Sequence, residues 1–129
     1  MKLYLDTDIF LALIKDDDRH KKAAEHFLRH SQGNELVTSV ITCLEVWFYL
    51  YKQGKQEQTL NALRAIEALA KIKEITFGEM QTAALLSQQV QLSPADAVHA
   101  RQALECDALV SSDKSFDRVK ELRKIDFTQ

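Results

Sequence analysis

The sequence predicts an α/β protein in which helices cover both faces of a parallel sheet. Short apolar segments of strand length alternate with longer segments of helical periodicity along the chain. Parallel strands need a crossover between them, and that crossover is usually a helix. Only three glycines and one proline interrupt the 129 residues, so we expect long elements joined by short loops.

Five segments have the length and composition of strands. In chain order they are residues 2–5 (KLYL), 35–39 (ELVTS), 74–77 (EITF), 108–112 (ALVSS) and, at an edge of the sheet, 124–127 (KIDF). Helical patterns cover residues 8–15, 18–31, 40–53, 56–72, 79–91, 94–105 and 115–121. The two consecutive helices at 40–53 and 56–72 are expected to form a hairpin within one crossover. No linker or repeat divides the chain, so we expect a single domain over residues 1–129.

Composition and charge exclude several classes of protein. Apolar residues make up 46% of the chain and the formal net charge is -2, so no global basic field favours nucleic acid. Cys43 and Cys106 lack the spacing of metal ligands and fit a reduced, cytoplasmic chain. The N-terminus does not have the pattern of a signal peptide, and no apolar run reaches the roughly 20 residues of a membrane span.

The stretch LYLDTDIF, residues 3–10, places Asp6 and Asp8 between apolar runs. A carboxylate in apolar surroundings is costly unless it is paired, hydrogen-bonded or bound to a cation. Asp6 follows the first predicted strand and Asp113 follows the fourth. Ligands of open parallel sheets bind beyond the carboxyl ends of the strands, so these two acids are candidates for one site. Helix capping by Asp6 is an equally good interpretation.

For two further acids, the sequence allows both a structural and a functional interpretation. Glu45 is the only charged residue between Leu36 and Tyr51, and it either reaches a lysine at the helix edge or points into a polar cleft. Asp96 occupies the third position of a helix that Ser93 would cap, which is compatible with a function as well. His99 is interpreted as a structural histidine rather than a ligand.

Acidic clusters without balancing lysines need a cation. Oxygen ligands favour Mg²⁺ or Mn²⁺ over zinc, and Mg²⁺ combines a few carboxylates with waters and a substrate phosphate. Such a site can activate water for attack on a phosphodiester.

Together these motifs resemble the PIN domain family, specifically the VapC-like toxin ribonucleases of VapBC type II toxin–antitoxin pairs. The resemblance is carried by LYLDTDIF with Asp6, TCLEV with Glu45, SPADAVHA with Asp96 and LVSSDKSF with Asp113, in this order along the chain. It implies a three-layer α/β/α fold around a central parallel sheet of four to five strands. It also implies Mg²⁺- or Mn²⁺-dependent endoribonuclease activity.

The resemblance carries roles to individual residues. The implied catalytic acids are Asp6, Glu45, Asp96 and Asp113; the implied metal ligands among them are Asp6, Asp96 and Asp113; the auxiliary residues are Asp117 and Ser111. Asp117 would make a weaker or indirect contact with the metal, and Ser111 would hydrogen-bond within the site. The sequence departs from the family pattern at Asp8, where Asn or Ser is more frequent, and at Ser115, where many members have Asp.

The resemblance further implies an RNA substrate, a cognate antitoxin whose tail covers the acidic site, and a homodimer. In the sequence itself, only aromatic residues such as Trp47, Tyr49 and Tyr51 suggest a partner surface, and they fit a core equally well.

Two other functions fit parts of the sequence. Asp6 and Asp8 match the DxD pattern of haloacid-dehalogenase-like phosphatases, with Asp6 as nucleophile, but that function leaves Glu45 and Asp96 without a role. A catalytically silent PIN-like binding module is the other alternative. Substitution of Asp8 separates the first from a PIN nuclease, because the phosphatase would lose all turnover and the nuclease only part of it.

Overall fold

The computed structural model describes residues 1–129 and contains one five-stranded sheet with helices on both faces. The strands are β1 (Lys2–Leu5), β2 (Glu35–Ser39), β3 (Lys71–Lys73), β4 (Ala108–Val110) and β5 (Lys124–Ile125). The helices are α1 (Thr7–Ile14), α2 (Lys21–Arg29), α3 (Val40–Lys52), α4 (Thr59–Leu69), α5 (Phe77–Val90) and α6 (Pro94–Ala103). Short 3₁₀ turns cover Gln56–Gln58 and Lys114–Arg118.

All strand pairs are parallel, and the order across the sheet is β3-β2-β1-β4-β5. The predicted α/β class and parallel sheet are therefore confirmed. In the sheet β1 lies between β2 and β4, so the chain is built outward from β1 first in one direction and then in the other. The carboxyl ends of β1 and β4 consequently flank the switch point at which open sheets bind ligands.

Two apolar clusters lie on opposite faces of the sheet, between the sheet and the helices. Leu3 and Leu5 point into one cluster with α1 to α4, and Tyr4 points into the other with α5 and α6. This alternation follows from the period of two along a strand, and every one of these three side chains is buried because both faces of the sheet are covered.

The position of the third strand was predicted wrongly. The prediction placed it at residues 74–77, whereas β3 is Lys71–Lys73 and pairs Ile72 with Thr38 of β2. Thr76 and Glu79 instead form a capping box, in which the Thr76 hydroxyl accepts from Glu79 N at 3.1 Å and Glu79 Oε1 accepts from Thr76 N at 3.1 Å. The next helix therefore begins at Phe77, whose side chain is exposed.

The helix predicted at 56–72 is shorter than expected, because its first residues form a 3₁₀ turn and its last ones belong to β3. The hairpin of α3 and α4 between β2 and β3 is confirmed. Gly54 follows α3 with φ +69, the left-handed backbone that glycine adopts at low cost after a helix. None of the helices combines the length and hydropathy of a bilayer-spanning segment.

Candidate functional site

The inner part of the candidate site lies where β1 and β4 end side by side. Asp6 N donates to Val110 O at 3.0 Å, which brings Asp6 next to Ser111. The Ser111 hydroxyl donates to Asp6 Oδ2 at 2.7 Å and accepts from Asp113 N at 3.0 Å. Ser111 is fully buried, so it links the two strand ends inside the protein.

Asp6 also caps α1, as the capping interpretation proposed. Its Oδ1 accepts from Thr7 N at 2.8 Å. Capping and membership of the site are thus compatible, because the two carboxylate oxygens have different partners. Burial raises the pKa of Asp6 to about 7; the nearby His99 opposes this rise and Asp8 adds to it.

Asp8 fastens the first turn of α1 to the segment after β4. Its Oδ2 accepts from Ser112 N at 2.8 Å and from the Ser112 hydroxyl. Its Oδ1 is buried and has no hydrogen-bond partner in the protein. Burial raises the pKa of Asp8; the bonds from Ser112 lower it, and the charge of Asp113 raises it further.

Glu45 points inward to the site rather than outward to a lysine. Its Oε1 accepts from the Thr7 hydroxyl at 2.7 Å and lies 2.6 Å from His99 Nε2. Burial alone would raise the pKa of Glu45, but the hydrogen bond and charge of His99, together with the Thr7 bond, hold it below its usual value. Glu45 is therefore ionised at neutral pH.

Asp96 lies at the start of α6, where Ser93 Oγ accepts from its backbone N at 3.4 Å and Pro94 occupies the first turn. The predicted cap is thus present. Burial raises the pKa of Asp96, and the charge of Asp113 raises it next. Asp113 itself caps the following 3₁₀ turn by accepting from Ser115 N at 2.9 Å.

The predicted acids also affect one another's ionisation. Asp113 raises the pKa of both Asp8 and Asp96, Asp8 raises that of Asp6, and Glu45 raises that of Asp96. Like charges disfavour each other's ionisation in this way only at short range or in poorly solvated surroundings.

Asp117 is linked to this group through Lys124. Its side chain is exposed and pairs with Lys124 Nζ at 2.9 Å, and the same Nζ donates to Asp113 O at 3.2 Å. Asp117 makes no hydrogen bond to the other acids, and its auxiliary role stays a prediction.

Sequence reasoning underestimated His99. It is fully buried, as expected for a structural histidine, but its partners belong to the site: Glu45, Thr7 at 3.1 Å from Nε2, and Asp6, whose Oδ1 lies 3.7 Å from Nε2. The sequence does contain one indication of this role. Asp96, His99 and Gln102 are three residues apart on α6, and this spacing places them on the same side of the helix.

The donor chemistry of the site fits a hard divalent cation. Carboxylate oxygens are the ligands that Mg²⁺ and Mn²⁺ prefer, and Asp8 Oδ1 is a buried oxygen in need of a partner. As the side chains stand, no three His, Cys, Asp or Glu groups are arranged to hold one metal ion. Binding would therefore require adjustment of the partly exposed acids Asp96 and Asp113.

Known proteins share this fold. VapBC2 of Rickettsia felis, bound to a promoter DNA fragment, superposes with a TM-score of 0.79 at 20% identity, covering 97% of this chain and 98% of that chain. VapBC-1 of nontypeable Haemophilus influenzae gives 0.77 at 23% identity, covering 100% of both chains. Mycobacterium tuberculosis VapC20, a toxin that cleaves the sarcin–ricin loop, gives 0.78 at 17% identity, covering 94% and 98%.

The family follows from a match to a family model. No individual curated protein matches the chain at a significant level. The sequence does match the PIN domain over residues 3–122, a range that runs from β1 past β4 and includes every candidate acid. The chain therefore belongs to the PIN domain family.

Proposed function

We propose that this protein is a divalent-metal-dependent endoribonuclease, and that it is the toxin of a VapBC-type toxin–antitoxin pair. The observation that carries the proposal is the link between Asp6 and Asp113, which follow the neighbouring strands β1 and β4 at the switch point of a PIN fold and share the Ser111 hydroxyl as a hydrogen-bond partner. Asp96 joins them in the proposal because the charge of Asp113 raises its pKa. The VapC20 toxin, which cleaves the sarcin–ricin loop, shares this fold.

In this proposal Asp6, Asp96 and Asp113 hold Mg²⁺ or Mn²⁺. When bound, such an ion neutralises developing charge on a phosphate and makes a nearby water more acidic. Ser111 keeps Asp6 in place through its 2.7 Å bond, and its link to Asp113 N ties the two acids together. A cation held there would supply the positive charge for a phosphodiester that this slightly acidic chain does not offer as a whole.

Glu45 orients the attacking water in the proposed reaction. Its Oε1 is occupied by Thr7 and His99, so Oε2 is the oxygen left to accept a hydrogen bond from water. Attack by the water oxygen forms a new P–O bond, and the P–O bond to the leaving ribose oxygen breaks. The leaving ribose oxygen takes up a proton from solvent, and the proton of the attacking water passes to a carboxylate. Asp113 is the second candidate acceptor for this proton.

Cleavage of a defined RNA panel tests the proposal. The wild-type protein should cleave at least one RNA with Mg²⁺ or Mn²⁺ and none with EDTA. Asp96→Asn should remove cleavage and keep the fold, because it removes a charge that Asp113 disfavours. Unchanged cleavage by Asp96→Asn would contradict the metal-ligand assignment, and an inactive but RNA-binding wild type would favour the silent binding module.

We also propose that an antitoxin binds the exposed apolar surface of α3. Leu44, Trp47, Phe48 and Tyr51 are 55%, 48%, 57% and 62% exposed and line a groove. A neighbouring groove shares Leu44 and Phe48 and reaches Glu45, so a segment lying on α3 can also cover the acids. Such contiguous apolar surface is typical of partner sites.

Co-expression with a short reading frame adjoining the gene tests this partner. Trp47→Ser should weaken the complex in size-exclusion chromatography, whereas Phe77→Ser, at an even more exposed aromatic position on α5, serves as the control and should not. Equal loss in both variants would contradict the placement on α3.

A homodimer is the second assembly that we propose. The mass of the protein without its partner, measured by sedimentation, tests it.

A further inference from the structure

We propose that His99 is a positioning residue that holds Glu45 in the orientation used for RNA cleavage; this inference rests on the proposed function. His99 Nε2 lies 2.6 Å from Glu45 Oε1 and 3.1 Å from Thr7 Oγ1. The imidazole is 0% exposed, whereas the Glu45 side chain is 35% exposed. His99 therefore acts on the site from beneath it, without itself reaching solvent or substrate.

The hydrogen-bond direction between His99 and Glu45 follows from the chemistry of the two groups. An ionised carboxylate has only acceptor atoms, so the proton must be on His99 Nε2, which donates to Glu45. The Thr7 hydroxyl donates to the same oxygen at 2.7 Å. Two buried donors thus hold Oε1, and the structure gives Oε2 no hydrogen bond within the protein.

The opposite edge of the imidazole is fixed as well. His99 Nδ1 lies 2.7 Å from the Tyr4 hydroxyl, and the two rings meet edge to face with centroids 5.7 Å apart. The Tyr4 hydroxyl donates to Gln102 Oε1 at 3.3 Å, and the Gln102 amide is oriented by its donation to Glu74 O at 3.0 Å. The ring therefore has a partner on each nitrogen and cannot turn without breaking one of them.

In a purely structural histidine, the hydrogen bonds would serve only to satisfy the two buried ring nitrogens. In this chain the buried hydrogen bonds from Gln102 through Tyr4 and His99 end on Glu45, which is the one partly exposed member among them. The effect of the whole arrangement is to direct one carboxylate oxygen outward. Outer partners of this kind change activity by about 10–100-fold when they are removed.

Two substitutions at His99 separate positioning from simple packing. The amide nitrogen of His99→Gln can take the place of Nε2 and keep the bond to Glu45, while losing the one to Tyr4. The amide of His99→Asn can take the place of Nδ1 and keep the bond to Tyr4, while losing the one to Glu45. Each variant removes one of the two ring contacts, so their melting temperatures should be lowered by similar amounts.

The proposal expects a clear difference in Mg²⁺-dependent RNA cleavage between them. His99→Asn should lower kcat by about 10–100-fold with little change in KM, and His99→Gln should stay within about threefold of the wild type. Wild-type kcat in both variants would overturn the proposal. So would equal losses in both, because these would follow stability rather than the bond to Glu45.

A measurement on the protein without RNA keeps the proposal testable if a variant does not fold. In ¹⁵N-histidine spectra of the wild type, His99 Nε2 should carry a proton, and Glu45→Gln should shift its resonance. An unprotonated Nε2, or a resonance unchanged in Glu45→Gln, would overturn the proposal. If the wild type cleaves no RNA, the proposed function fails, whereas these spectra still decide whether His99 holds Glu45.

Discussion

The candidate site has two halves that differ in burial and bonding. The inner half consists of Asp6, Thr7, His99 and Ser111, all of them at most 5% exposed and joined to one another or to Glu45 by hydrogen bonds. The outer half consists of Glu45, Asp96 and Asp113, all of them partly exposed. Asp96 and Asp113 do not bond to each other, but the charge of Asp113 raises the pKa of Asp96.

This difference indicates two separate tasks. The inner half is a frame whose geometry the surrounding core determines, since interior side chains are close-packed and their polar groups are satisfied. The outer half can change rotamer at little cost and so can adjust to a cation and a phosphate. We expect substitutions in the outer half to change activity alone, and substitutions in the inner half to change both activity and stability.

The largest effect is expected when a proposed metal ligand is removed from either half. Asp6→Asn and Asp96→Asn should each lower RNA cleavage by more than about 100-fold, because losing a ligand costs more than losing an outer partner. Isothermal titration with Mn²⁺ should show weakened binding in both variants. Wild-type Mn²⁺ affinity in either one would remove that residue from the set of ligands.

The buried Asp6 of the inner half should make the stability of the protein depend on pH. The pKa of Asp6 is raised from 3.8 to about 7 in the folded protein, so the folded state holds a proton that the unfolded chain releases. Stability in EDTA should therefore fall as pH rises from about 4 to about 7, by a few kcal/mol at roughly 1.4 kcal/mol per pKa unit.

Asp6→Asn should lose this contribution, so its melting temperature should rise relative to the wild type between pH 4 and pH 8. Added Mg²⁺ should raise the melting temperature of the wild type at pH 8 and not that of Asp6→Asn. Parallel curves for the two proteins over this range would contradict the raised pKa of Asp6.

Ser111→Ala tests the frame itself. The substitution leaves Asp6 Oδ2 and Asp113 N without their buried hydroxyl partner, which should cost about 1–3 kcal/mol of stability in urea unfolding. Activity should fall by about 10–100-fold through misplacement of Asp6. The matched control is Ser112→Ala, which keeps the backbone bond from Ser112 N to Asp8 and should cost less.

The smallest effect is expected at Asp117, outside both halves. Asp117→Asn removes the charge of an exposed carboxylate, while Lys124 keeps its bond to Asp113 O, so the loss should be about 0–1 kcal/mol in thermal unfolding. Cleavage should change by less than about threefold if its auxiliary contribution is weak. A loss comparable with that of Asp96→Asn would place Asp117 among the principal acids.

Much of the fold could be predicted because its signals are local. Asp6 and Asp113 follow strands, and the Ser93–Pro94 cap marks the start of α6, so each acid could be assigned to an element from its neighbours in sequence. The prediction for β3 was wrong because residues 74–77 are apolar enough for a strand, although Thr76 and Glu79 form a capping box that starts α5 at Phe77. This capping box is also a local signal.

The sequence by itself determined the parallel α/β class, the PIN family and the acids that can meet at one edge, because these depend on periodicity and short motifs. The tertiary structure alone decided which acids are buried and which carboxylate oxygen is free. It also decided that Trp47 and Tyr51 of α3 are exposed, whereas Tyr49 packs against the core. It also decided the environment of His99. Its bonds to Tyr4 and Thr7 join residues 95 and 92 positions apart, and no local pattern encodes a contact that depends on packing a helix against the first strand.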